Sequence, residues 1–109
     1  MLTKPSVASH TINIDSDITG NAYTAVDSAC ELVAILGTAA GSALFVRVYD
    51  ADSAADAITA NARLGIAANT GESTPFTPAQ PMKFTKGIHL VFEQGGSDWG
   101  GEVTLVINK

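Results

Sequence analysis

Cysteine occurs once in this chain, at Cys30, so no disulfide can close within it and a scaffold stapled by such bridges is excluded. Basic residues are scarce: six against eleven acids, for a formal net charge of −5. A phosphate backbone repels such a surface, which argues against nucleic acid as a partner. No basic amphipathic stretch marks a membrane-surface helix either. Long apolar runs are missing as well. The best, from Leu32 to Val46, is interrupted by Gly37, Thr38, Gly41 and Ser42, whereas a membrane span needs ~20 predominantly apolar residues. Residues 1–10 lack the charged-then-apolar pattern of a secretory signal, so synthesis and folding in cytoplasm are expected. Charged residues make up only 16% of the chain, too few for helices with charged outer faces.

What is plentiful is alanine, threonine, glycine and serine, the makings of short strands and compact loops. In 109 residues these predict one domain with a single core. The stretch from Ala29 to Asp50 sets the pattern, with strands at 29–36 and 43–50 joined by a glycine-bearing loop. In the second strand Leu44, Val46 and Val48 share one face and Phe45, Arg47 and Tyr49 the other. A like pair follows at 87–94 and 102–108, with Ile88, Leu90, Phe92 and then Val103, Leu105, Ile107 on one side. Both pairs are expected to be hairpins, and their shared inward set the core of a β-sandwich or barrel. Cys30, set in alternating apolar sequence, is expected to be a buried structural thiol, because a reactive thiolate needs electropositive surroundings.

The rest of the chain reads as punctuation between short strands. Residues 1–8 form an N-terminal arm, and the domain proper covers 9–109. Strands are expected at 10–15, 23–26 and 64–68. Residues 51–63 carry no apolar stripe and make a loop with one helical turn at most. Pro75, Pro78 and Pro81 confine 73–84 to a sheet edge or an extended connection, hydrogen-bonded around 82–84.

Two sets of residues stand out as candidates for contact. A half-buried antiparallel sheet alternates apolar-in with polar-out, yet Val33, Ile35, Phe45, Val91 and Val106 fall on the outward parity. Either the arm or the proline-rich loop covers them, or they are a subunit interface, and the interface predicts a homo-oligomer. The second set is Asp98 and Trp99 in a glycine-rich loop, with Tyr23. A loop tryptophan can stack on a sugar ring beside an accepting carboxylate, or fold back to close one end of the sandwich.

Signatures of chemistry fail on inspection. Asp50, Asp52 and Asp56 invite comparison with a calcium loop, but Ala54, Ala55 and Asn61 stand where that loop needs an oxygen ligand, a glycine and a glutamate. Asp15 and Asp17 suit a turn. His10 and His89 have no second histidine or cysteine at ligand spacing. Nucleophile elbow, phosphate loop and dinucleotide fingerprint do not occur. The expectation is a protein that is not an enzyme and uses no cofactor or metal.

From Ala29 onward the layout resembles small virion proteins of tailed bacteriophages. The residues that carry the likeness are Tyr49-Asp50 closing an apolar strand, Ser53-Ala54-Ala55 in a small-residue loop, and the strand at 64–68. Pro78 to Pro81, Lys83-Phe84 with Gly87, and the valine-rich end at 103–107 complete it. The resemblance implies an all-β, antiparallel, jelly-roll-like sandwich of about seven or eight short strands with little helix. It implies a head decoration or cement protein on the capsid exterior, or a fibre-base module. Its partners would be its own copies, a trimer among the forms, and the major capsid protein, with residues 1–7 anchoring on the coat. The alternative it leaves open is a carbohydrate- or receptor-binding adhesion module of a tail or fibre.

Overall fold

The computed structural model describes residues 7–14, 21–94 and 100–108. Among these residues nine strands follow one another: β1 (Val7–Asn13), β2 (Ala22–Val26), β3 (Cys30–Ala39), β4 (Leu44–Asp50), β5 (Ala62–Ala68), β6 (Ser73–Phe76), β7 (Met82–Phe84), β8 (Ile88–Gln94) and β9 (Gly101–Asn108). Two single 3-10 turns, Ala54–Asp56 and Thr59–Asn61, interrupt the loop before β5. The arm is shorter than expected, because Val7 and Ala8 already pair with Asn108 and Ile107.

The strands form two antiparallel sheets. One runs β1-β9-β3-β6, with β7 also on β3; the other runs β2-β8-β4-β5. We call them sheet A and sheet B. β6 and β7 both flank β3, opposite Thr38–Ile35 and Leu32–Cys30 respectively, so they act as one strand broken by its proline-rich middle. Counted that way the pairing is first with last, second with seventh, third with sixth and fourth with fifth. That is a long antiparallel ribbon, its tip at β4–β5, rolled into two facing sheets: a jelly roll.

The expected strands are thus present, but the two expected hairpins are not. β3 and β4 lie in different sheets, as do β8 and β9. The true neighbours are β3 with β9 and β4 with β8. Between the sheets lies the core. Val46, Val48, Ile88, Leu90, Phe92, Val103 and Leu105 are fully buried, joined by Leu32, Ile35, Phe84 and Ile107. Area removed from water on this scale supplies the main drive to fold. Cys30 is buried, as expected of a structural thiol.

The turn from β7 to β8 is held by one carboxylate. Asp50 accepts from the Thr85 amide and hydroxyl (3.1 and 3.0 Å) and from the Lys86 amide (2.9 Å). Desolvation raises its pKa, but hydrogen bonds from Lys86, Thr85 and Gly87 outweigh that and leave it below the usual 3.8. Gly87 has φ 151°, and a side chain there would strike the carbonyl oxygen of Val26. Only glycine fits so close to two neighbouring backbones.

Candidate functional site

A sandwich buries one face of each sheet and leaves the other outward, so this fold has two broad outer faces. They differ in kind.

On sheet B the outer rows are Ala67–Phe45–Glu93 and Gly65–Arg47–Val91–Ala22. The Phe45 ring lies over Gly65, 2.8 Å from where a side chain would begin, and covers backbone that the glycine leaves bare. The Arg47 guanidinium sits 5.3 Å from the centre of that ring and pairs with Glu93 at 3.1 Å. Both charged groups are about half exposed, so the pair adds little stability. It does keep this face charged and wet. Phe45 and Val91 are half-buried within it.

Beside them, Tyr49, His89 and Thr24 form the next row. His89 is only 3% exposed, and its Nδ1 meets the Thr24 hydroxyl at 2.8 Å. Its Nε2 is buried and finds no partner among the described residues. Burial disfavours the charged imidazolium and holds the pKa below 6.5. The ring therefore belongs to the fold, although its parity, opposite to Ile88 and Leu90, is the outward one.

The outer face of sheet A carries a β-bulge. Leu32 pairs with Ile107 and Ala34 with Val106, which leaves Val33 as the extra residue in β3. Beyond it the parity reverses. Ile35, expected outward, is 1% exposed in the core, while Leu36, expected inward, is 38% exposed. The outer surface so formed has Ser9, Val106 and Ala34 in one row and Thr11, Thr104, Leu36 and Pro75 in the next. Hydroxyls bridge strands across it, Thr11 to Thr104 at 3.1 Å and Thr38 to Ser73 at 2.9 Å. Among the described residues its charges stand only at the two ends: Glu31 and Lys83 beside Asn108 at one, Glu102 beside Thr38 at the other.

The five apolar candidates are therefore not one patch. Val33 and Val106 lie on sheet A's outer face, Phe45 and Val91 on the opposite side of the molecule, and Ile35 between the sheets. Of the loop candidates, Asp98 and Trp99 lie outside the described residues. Tyr23 pairs with Leu90 on the inner side of sheet B and packs against the core, so it is no loop contact. Leu36 is the residue that sequence reasoning missed. A signal for it was present: Glu31 and Thr38 have opposite parity, and both can face water only if one extra residue intervenes.

Two hollows remain. One of about 520 Å³ lies under Ala29, Cys30, Glu31, Lys83, Phe84, Thr85 and Asn108, at the end of sheet A where its charges gather. The Oδ1 of Asn108 is buried there without a partner among the described residues, while its Nδ2 donates to Glu31 at 3.4 Å. The other, about 460 Å³, opens between the edge strands β1 and β2 beside His10, Asp27 and Asp52. No three of His, Cys, Asp or Glu among the described residues converge as metal ligands would.

No protein-family model, curated protein or solved structure matches the chain. The likeness to phage virion proteins rests on the strand-and-turn layout alone.

Proposed function

We propose that this protein is a non-enzymatic structural component of a phage virion, a decoration protein that binds the outer coat lattice as a homo-oligomer. One observation carries the reading: sheet A presents a broad outer face whose centre is Val33, Ala34, Leu36, Val106 and threonine, with charge, among the described residues, only at its ends. Surfaces of that kind mark association. The jelly-roll fold agrees with the resemblance, and an acidic balance suits a place outside the shell, away from packaged genome. Bound to a lattice, such a protein would stabilise it by mass action, since it favours the assembled state.

The test is cosedimentation of the purified chain with capsids lacking it, beside a glycan array. Saturable binding to capsids with no glycan signal is expected. A glycan signal without capsid binding would replace this reading by the adhesion one, and binding to neither would end both.

A further inference from the structure

We infer that the outer face of sheet A is a two-fold interface between copies of this chain, with the axis lying in the interface and crossing the strands midway between the Leu36–Thr104 and Ala34–Val106 rows. The inference rests on the reading of the protein as an associating structural module and adds its partner and geometry.

The register supplies the argument. Such an axis turns each strand end for end while keeping it over its own mate. Leu36 then stands over Ala34 of the other copy, and Thr104 over Val106, a large side chain on a small one and a β-branched pair. Next outward, the row Glu102–Thr38–Ser73 comes over Asn108–Glu31–Lys83. Every acid meets a group that can donate to it: Glu102 the Asn108 amide, Glu31 the Thr38 hydroxyl. Lys83 meets the Ser73 hydroxyl, one strand from Thr38 and two from Glu102. No like charges face each other. An axis along the strands would instead leave the two Glu102 residues at one end with no cation there, which favours the crossing axis. Sheet B's outer face offers no comparable surface, because Arg47 and Glu93 occupy its middle.

Size agrees. Four strand positions ~4.8 Å apart, over about seven residues of ~3.4 Å each, give a face on the order of 500 Å² per copy, or ~1,000 Å² in all, the lower bound for a specific interface.

Sedimentation equilibrium of the full chain measures the association. A dimer at micromolar concentration is expected, and Leu36→Glu is expected to weaken it by roughly tenfold or more. Phe45→Glu, on the other sheet, should leave it unchanged. Circular dichroism verifies that each variant is folded. Geometry is read by cross-linking with a short bismaleimide. Thr38→Cys chains mixed with Glu31→Cys chains should form heterodimers, while either alone should not, since two Thr38 positions would lie ~20 Å apart. This arm stands even where Leu36→Glu fails to fold. A monomer at ~100 μM, a trimer, or cross-links in each single variant would overturn the inference. Capsid binding by a monomer would leave the decoration role standing without its homo-oligomer, and a dimer that ignores capsids would leave only the interface.

Discussion

At the scale of single residues, two groups with shifted titration, His89 and Asp50, make stability fall toward acid. His89 is held below 6.5 by burial. As pH drops through 6.5 the unfolded chain takes up a proton that the folded one resists, so stability declines from there down to the lower native value, with a slope of up to ~1.4 kcal/mol per pH unit. Asp50 acts in the same direction at lower pH. Its stabilisation is complete above 3.8 and is lost as pH falls through the depressed native value. Urea denaturation at pH 8, 6 and 5 checks the first limb. Wild type should lose stability over that range relative to His89→Gln, which cannot titrate; parallel curves would show that the imidazole is not coupled to folding. Gly87 gives a second test at this scale. With the Val26 carbonyl where a side chain would begin, Gly87→Ala should cost about 2–3 kcal/mol, seen as a lower thermal midpoint.

Elements show where local pattern informs and where it stops. Alternation located the strands to within a few residues: 43–50 was expected and Leu44–Asp50 is found, 102–108 was expected and Gly101–Asn108 is found. The inward set of β4, β8 and β9 was legible because each, short of its last residue, carries polar or charged residues at only one parity, Arg47, His89 with Glu93, and Glu102 with Thr104, which marks the other as inward. β3 was not, since Leu32 to Leu36 is apolar at both parities and period-2 logic has nothing to read there. Pairing was also hidden. A glycine-rich loop signals a reversal of direction, but not whether the chain stays in its sheet or crosses to the other. The bulge makes a sharp prediction. Deleting Val33 removes the extra residue and sets Leu32 and Ala34 side by side opposite Ile107 and Val106, a regular ladder in which Cys30, Leu32, Ile35, Gly37 and Ala39 all stay inward. The deletion should therefore keep the folded β spectrum by circular dichroism, and Val33→Thr, which keeps the count, should cost less than ~1.5 kcal/mol. Loss of the spectrum on deletion would show that the chain on the two sides of the bulge does not hold its register without it.

For the molecule as a whole, the rolled ribbon makes the ends of the chain the last parts to gain a partner. β1 waits for β9, and β9 lies between β1 and β3 in sheet A. Contacts so distant in sequence make for slow folding, in milliseconds to seconds. They also make β9 the strand on which sheet A depends. Without it β1 has no neighbour, β3 keeps only the short β6 and β7, and the buried Val103, Leu105 and Ile107 are gone. A chain ending at Gln94 should therefore not fold alone. Sheet B would still hold all four of its strands in sequence, so the loss is confined to one open slot lined by Ile12, Leu32 and Ile35. A peptide of residues 100–109 added in trans should fill that slot as an added strand, bringing back the β spectrum at stoichiometric ratio. The same peptide with Leu105→Glu, which places a charge at the centre of the core, should not. Equal rescue by both peptides would show that β9 contributes only its backbone and that the core does not select it.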